Sequence, residues 1–215
     1  MLIRSGGFGR HMTALDNRLV MLVDGRARCA VAPGAGGAAA GFWWESEGRR
    51  TDWLRPASAT AVAQGNAREM GCFPMVPYGS RIRGGRFLFC GREVVESSAG
   101  PDMRHALHGH GWRRDWTVIE RHDRRVVLEY AHEPGAWPWR YRARQCFALA
   151  DEALTISLEI ENLSDGLMPA GLGFQRSTPP SIVRSMGWFG AFAVKLHVAL
   201  QGPQTPFASF ARTCQ

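Results

Sequence analysis

The chain has 215 residues, of which 45% are hydrophobic and 21% are charged. This composition excludes an intrinsically disordered chain, which combines low hydrophobicity with high net charge, and a collagen-like fibre, which needs a glycine at every third position. The formal net charge is +7, but no run of five like charges occurs and the basic residues form no stripe along the sequence. We therefore expect no nucleic-acid partner, because such proteins concentrate their basic residues on one surface.

Membrane insertion and secretion also find little support. The early apolar run at residues 19–23 is far shorter than the ~20 residues that cross a bilayer, and Lys195 interrupts the later apolar stretch at 182–200. The first twelve residues carry two arginines and a histidine without an apolar segment behind them, unlike a secretory signal. The five cysteines form no CxxC pair and leave one over, which is typical of free thiols. We expect a cytoplasmic protein that does not contact a membrane.

Short apolar segments separated by turn residues dominate the chain up to residue 163. Asp24-Gly25 between two such segments predicts a hairpin, and Cys90-Gly91 predicts another. In residues 154–161, leucine and isoleucine alternate strictly with polar side chains, as in a strand with one buried face. The predicted strands are 19–23, 27–31, 86–89, 93–95, 116–120, 125–130, 141–149 and 154–161. No comparably long helical period occurs, so we predict a mostly antiparallel β-sandwich.

A glycine-rich segment follows the first predicted hairpin. Residues 34–39 match the variant dinucleotide fingerprint Gly-x-Gly-x-x-Ala, which works only when a helix and a second buried strand follow. Here two tryptophans and a charged patch follow instead. We expect a turn of small residues and no bound cofactor.

The character of the chain changes after Asp165. Residues 166–215 contain no acidic side chain and include the only lysine. The apolar stretch at 182–200 fits neither strand alternation nor a helical stripe. The sequence does not assign a structure to this region.

Three histidines and two tryptophans lie close together in the sequence, at His105, His108, His110, Trp112 and Trp116. No cysteine or second histidine pair stands at zinc-site spacing, so metal binding is the weakest interpretation. Imidazoles can transfer protons near neutral pH, and indole rings can stack on the apolar faces of sugars. The alternative is that these side chains line a core or a sheet edge, and composition alone favours that alternative.

A second group of residues surrounds Arg81, which follows the proline-rich loop at 73–80 and precedes a predicted hairpin. A guanidinium held there could donate to several hydroxyl oxygens, since arginine presents five donors in a fixed geometry. An ordinary surface arginine is the alternative.

Taken in order, these segments resemble the aldose 1-epimerase (galactose mutarotase) family. The resemblance lies in Phe-Pro-Met-Val-Pro-Tyr-Gly-Ser-Arg at 73–81, Leu-His-Gly at 107–109 and Met-Pro-Ala-Gly-Leu-Gly-Phe at 168–174, and it covers roughly residues 18–174. It implies an all-β fold, the antiparallel β-supersandwich of the mutarotases, incomplete at the C-terminus. Residues 1–174 would form the mutarotase-like domain, and residues 175–215 an atypical tail such as a frameshift or truncation would produce.

The resemblance also implies a function. Members of this family bind a free aldohexose and interconvert its α and β anomers by acid/base ring opening, without a cofactor or metal. Arg81 and His108 match the sugar-binding positions, with Trp112 close by, whereas the position of the catalytic histidine holds Gln175. The glutamate base has no counterpart, because no acidic residue follows Asp165. We therefore weigh two readings, an aldose 1-epimerase with impaired activity and a non-catalytic carbohydrate-binding β-sandwich. The oligomeric state is left open.

Overall fold

The computed structural model describes residues 18–96 and 104–179, together with the backbone of one strand at 192–199. One short helix, α1 (Ala59–Gln64), and single 3-10 turns at Ala67–Glu69 and Gly111–Arg113 accompany the strands. The strands are β1 (Val20–Asp24), β2 (Ala27–Ala32), β3 (Ala38–Ser46), β4 (Arg49–Leu54), β5 (Cys72–Met75), β6 (Arg81–Arg83), β7 (Arg86–Phe89), β8 (Arg92–Val95), β9 (His105–Leu107), β10 (Thr117–His122), β11 (Arg125–His132), β12 (Tyr141–Ala150), β13 (Ala153–Asn162), β14 (Gly173–Arg176) and β15 (Phe192–Ala199).

The first large sheet has six strands in the order β1-β2-β3-β5-β14, and β4 also pairs with β3. The β1/β2 hairpin turns at the predicted Asp24-Gly25 position, and the β7/β8 hairpin is present as well. The glycine-rich segment forms the turn between β2 and β3, where the Gly37 amide donates to the Pro33 carbonyl at 3.2 Å. The prediction of a turn rather than a strand-to-helix junction is therefore confirmed.

The second large sheet has five strands in the order β10-β11-β12-β13-β15. Strands β10 to β13 form an antiparallel meander with short connections. In β13 the predicted alternation is observed, because Leu154, Ile156, Leu158 and Ile160 are all buried whereas Glu159 is exposed.

The main core lies between these two sheets. Leu22 and Phe42 of the first sheet and Leu128 and Phe147 of the second belong to one buried cluster. A second, smaller cluster covers the opposite face of the first sheet, where α1 contributes Val62. The first sheet is thus covered on both faces, which explains why its strands β2 and β3 are apolar at nearly every position.

The structure confirms the all-β fold class. One pair of strands departs from the predicted antiparallel arrangement. Strand β15 pairs with β13 in parallel, within the stretch for which the sequence showed no strand pattern. The sequence assigns no structure to this stretch, and β15 is placed by its pairing with the backbone N–H and C=O groups of β13 at the edge of the sheet. The other residues of the predicted tail, 180–191 and 200–215, lie outside the described residues, and the division at residue 174 stays a prediction. No helix in the described part of the chain has the length and apolar character needed to cross a bilayer.

Ile156 offers a test of the core that lies between the sheets. Its side chain is fully buried, so we expect Ile156→Ala to lower the free energy of unfolding by ~2–5 kcal/mol through lost contacts and a residual cavity. Urea unfolding followed by tryptophan fluorescence measures this change. The matched control is Glu159→Ala on the exposed face of the same strand, for which we expect a change within ~0.5 kcal/mol. Equal effects of the two substitutions would contradict the described orientation of β13.

Candidate functional site

Arg81 and His108 are brought side by side by a small two-stranded sheet. Strands β6 and β9 pair with Arg81 opposite Leu107, and the backbone N–H of His108 donates to the Ser80 carbonyl at 2.8 Å. Ser80 and His108 have φ angles of 62° and 58°, a left-handed conformation that is uncommon for residues other than glycine. Strain of this kind concentrates at functional sites, where the surrounding structure holds it in place.

The carbonyl of Val76 holds the turn that carries His108. It accepts the backbone N–H groups of His110 at 3.0 Å and of Gly111 at 3.1 Å. Gly109 lies against the same carbonyl with a φ of 65°, and a Cβ atom there would overlap the Val76 oxygen. A glycine at position 109 is therefore required both by the backbone conformation and by the close approach of the two segments.

The two histidines on either side of Gly109, His108 and His110, lie in different environments. The His108 ring lies 6.2 Å from the ring of Phe73, which belongs to the smaller cluster on the outer face of the first sheet. The His110 ring lies 4.2 Å from that of His132, and its Nε2 lies 2.7 Å from the hydroxyl of Tyr141. Tyr141 is a member of the main core, so His110 is directed into the interior.

His108 is a neutral hydrogen-bond donor. Burial lowers its pKa, and the positive charges of Arg81 and Arg68 lower it further. Its Nδ1 is buried and has no hydrogen-bond partner among the described residues. An N–H group buried without an acceptor is costlier than a lone pair, so the proton of the neutral ring belongs on Nε2. His108 therefore presents an N–H donor through Nε2.

Gln175 lies on the same side of the first sheet as Phe73. Strand β14 pairs with β5 so that Gln175 is directly opposite Phe73, and directly opposed residues of an antiparallel pair share one face. The Gln175 side chain is exposed. The fold therefore brings position 175 to the face on which His108 lies. A carboxamide has donors and an acceptor but does not titrate, so Gln175 can bind a hydroxyl without exchanging a proton with it.

The two tryptophans near His108 are core residues. Trp112 is 6% exposed, and its indole N–H donates to the carbonyl of Gly109 at 3.1 Å. Trp116 is 3% exposed and donates to the carbonyl of Gly111 at 3.0 Å. These hydrogen bonds hold the turn at residues 108–111. This agrees with the alternative given above, in which the tryptophans line a core. A direct role of Trp112 in holding a sugar stays a prediction.

The other two histidines of this segment, His105 and His110, have different surroundings. His105 uses Nδ1 to accept the backbone N–H of Gly84 at 3.1 Å. Burial, together with the neighbouring His132, Arg114 and Arg113, lowers the pKa of His110 to about 3, which makes it neutral throughout the physiological range. Among the residues that the structure describes, no group of three potential ligands is arranged to hold a metal ion.

Arg68 is a further residue of this site, and the sequence did not single it out. It is exposed on the 3-10 turn that precedes β5, and its guanidinium carbon lies 5.7 Å from the centre of the Trp112 ring. In the sequence Arg68 stands in the polar stretch Asn-Ala-Arg-Glu, where nothing distinguishes it from an ordinary surface arginine. Only the fold brings it towards His108.

Residues 18–176 match the aldose 1-epimerase family, which is most of the described chain. The chain belongs to the aldose 1-epimerase family. The match includes Arg81, His108 and Gln175 and ends two residues beyond Phe174. The departure from the family after Phe174 stays a prediction, which the sequence of the encoding DNA can test.

Individual proteins resemble this chain in sequence or in fold. An uncharacterised Escherichia coli K12 protein, YphB, is 34% identical over 146 residues, which are 68% of this chain and 47% of that protein. A crystal structure of a candidate aldose 1-epimerase from the same organism has a TM-score of 0.64 at 32% identity, covering 73% of this chain and 50% of the other. A galactose mutarotase-like protein from Clostridium acetobutylicum also has a TM-score of 0.64, at 16% identity, and covers 74% of this chain and 49% of the other. This chain therefore spans about half the length of the proteins it resembles.

The buried His110 makes a pH dependence of stability predictable. The unfolded chain binds a proton at His110 below a pKa of about 6.5, whereas the folded chain does so only near pH 3. Above pH 6.5 His110 is neutral in both the folded and the unfolded chain, so the free energy of unfolding has its full value. Below pH 6.5 the unfolded chain takes up a proton that the folded chain does not. The free energy of unfolding therefore falls as the pH drops towards 3, by up to ~1.4 kcal/mol per pH unit. Urea unfolding between pH 7 and pH 4 should show this loss, and His110→Gln should reduce the slope. A His110→Gln variant with the same slope as the unchanged chain would contradict the assignment.

A second prediction concerns the turn at Gly109. We expect Gly109→Ala to lower the free energy of unfolding by more than ~2 kcal/mol, since it combines an unfavourable φ with overlap at Val76. Gly91→Ala isolates the effect of the unfavourable φ, because Gly91 has a φ of 76° but open space around it. This substitution should lower the free energy of unfolding by ~1 kcal/mol. Gly135→Ala has neither feature and should change the stability by less than ~0.5 kcal/mol. Chemical denaturation of the three variants measures the order, and a Gly109→Ala variant as stable as Gly91→Ala would contradict the close approach to Val76.

Proposed function

We propose that this protein binds a free aldohexose and interconverts its α and β anomers by ring opening, with Arg81 and His108 holding oxygens of the sugar. The observation that carries the proposal is the backbone pairing of the segments that hold Arg81 and His108, with Arg81 close enough to act electrostatically on His108, within a chain of the aldose 1-epimerase family. Arginine suits a ring with several hydroxyl groups, because its donors point in several fixed directions.

Ring opening needs two proton transfers. A base removes the proton of the anomeric hydroxyl, an acid protonates the ring oxygen, and the C–O bond between the anomeric carbon and the ring oxygen breaks. Closure after rotation of the aldehyde reverses these transfers. His108 contributes a hydrogen bond from Nε2, which stabilises negative charge developing on a sugar oxygen, but its lowered pKa disfavours the protonated form that an acid requires.

A second candidate function is carbohydrate binding without catalysis. Gln175 favours this second candidate. By resemblance, position 175 is where the family has its catalytic histidine, and the carboxamide found there does not titrate. In this case Arg81, His108 and Gln175 bind the pyranose and the ring stays closed. The two functions share one ligand and differ only in the rate of anomer exchange.

Polarimetry combined with calorimetry separates the two candidates. Fresh α-glucose and fresh α-galactose are mixed with the protein, the approach to anomeric equilibrium is followed, and binding is titrated with the equilibrated sugars. We expect saturable binding, and acceleration above buffer supports the epimerase. Binding without acceleration supports the non-catalytic alternative. Absence of binding to both sugars would refute the proposal.

A substitution at position 175 tests the missing acid. We expect Gln175→His to raise the rate of anomer exchange on the order of 10²-fold, because a positioned proton transfer contributes ~10²–10⁴-fold. Gln175→Asn is the matched control, since it keeps the carboxamide and should not raise the rate. Position 175 is exposed, so the fold should tolerate either change. A histidine variant with the rate of the asparagine variant would show that position 175 is not where the acid acts.

A further inference from the structure

We propose that Tyr141, a core residue of the second sheet, positions His108 for sugar binding by holding the side chain of His110. The inference rests on the proposed function, because it takes His108 as a side chain that holds the sugar. It assigns a part in this site to a residue of the opposite sheet, which acts on the ligand through the turn at residues 108–111 and not by contact.

The hydrogen bond between Tyr141 and His110 lies in the main core. The Tyr141 hydroxyl is 2.7 Å from Nε2 of His110, and the two residues are 0% and 7% exposed. Burial raises the pKa of Tyr141 and lowers that of His110, so both groups are neutral near pH 7. A buried polar group without a partner costs free energy, so this bond resists separation of the two side chains.

A second contact fixes the ring of His110 at its face. The ring of His132 lies 4.2 Å from it, and Nε2 of His132 is 3.1 Å from the Trp137 carbonyl. Since a carbonyl only accepts and burial lowers the pKa of His132, Nε2 carries the proton of a neutral ring. Nδ1 of His132 then accepts from the Tyr130 hydroxyl at 3.3 Å. His132 is thereby held at both nitrogens, and it defines the position of the His110 ring from a second side.

The path from His110 to His108 is short, because only Gly109 separates them. His108 and Gly109 both have left-handed φ angles, and no Cβ fits at position 109 beside the Val76 carbonyl. Val76 holds this turn from the first sheet by accepting the backbone N–H of His110 at 3.0 Å. Tyr141 holds the same turn from the second sheet, through the side chain of His110. The turn that carries His108 is therefore anchored from both sheets.

Strand β12 gives Tyr141 a fixed position from which to act. It pairs along its whole length with β11 and β13, and Tyr141 is opposite His132 on one side and Asn162 on the other. Core strands open only with free energies close to that of global unfolding. The elements around the turn are much shorter, since β9 and the 3-10 turn that follows each have three residues. We therefore expect the strand to position the turn and not the reverse.

Amide hydrogen exchange of the full chain, resolved by NMR, tests this anchor without any sugar. The amides of His108, His110 and Gly111 report on the turn, and those of β3 report on the first sheet. In Tyr141→Phe we expect the turn amides to exchange roughly tenfold faster relative to β3, because a buried hydrogen bond is lost. Ile156→Val is the control, since it weakens the core elsewhere and should leave this ratio unchanged. Turn amides that keep their ratio to β3 in Tyr141→Phe would overturn the inference.

Calorimetry with glucose and galactose then shows whether the anchor acts on the site through His110. Tyr141→Phe should weaken the binding of whichever sugar binds the unchanged chain, by roughly three- to tenfold. His110→Phe keeps a ring without nitrogens, and in this background Tyr141→Phe should have no further effect. Tyr130→Phe is the matched control. It removes a hydroxyl of the same cluster that bonds to His132 instead, and it should leave the affinity unchanged.

The outcomes separate the inference from the proposed function. A Tyr141→Phe variant that binds sugar as tightly as the unchanged chain, or that weakens binding equally with and without His110, would overturn the inference alone. An equal loss in Tyr130→Phe would also overturn it, since general loosening of the core would then suffice. If Tyr141→Phe does not fold, His110→Phe removes the same bond and replaces it in both measurements. An unchanged chain that binds neither sugar would refute the proposed function and the inference with it.

Discussion

The close approach between the Val76 carbonyl and the turn at residues 108–111 is the constraint on which the site depends. One oxygen accepts two backbone N–H groups, and Gly109 presses against the same oxygen where no side chain fits. Backbone groups buried in this way need partners, so the turn cannot shift without leaving donors unsatisfied. The turn fixes His108 beside Arg81, and it does so through main-chain contacts that sequence composition alone does not reveal.

The same turn gives two histidines opposite uses. His110 enters the main core beside Tyr141 and His132 and is neutral because burial disfavours its charged form. His108 remains half-buried on the outer face, where Arg81 and Arg68 also oppose its protonation. Both imidazoles are therefore neutral, but only His108 presents a hydrogen-bond donor to a ligand. Under the proposed function, Arg81, His108 and Gln175 hold the sugar, and the two proton transfers that open the ring need an acid and a base beyond these three side chains.

Much of the fold follows from local patterns, whereas the site follows from long-range contacts. Alternation in 154–161 predicts β13 because one face of that strand is buried, and the Asp24-Gly25 turn predicts the first hairpin. The pairing of Gln175 with Phe73, about a hundred residues apart, leaves no mark in either local sequence. Arg68 gave no signal for the same reason. Strand β15 was missed because parallel pairing at a sheet edge depends on the backbone of its neighbour and not on its own alternation.

A structure of the protein crystallised with a bound aldohexose is the most direct test of the account. We predict a pyranose on the outer face of the first sheet, with sugar oxygens within hydrogen-bond distance of both the Arg81 guanidinium and Nε2 of His108. Its ring should lie on the side to which Phe73 and Gln175 point. A sugar bound elsewhere on the chain, or one held at this face without either of those two side chains, would contradict the account.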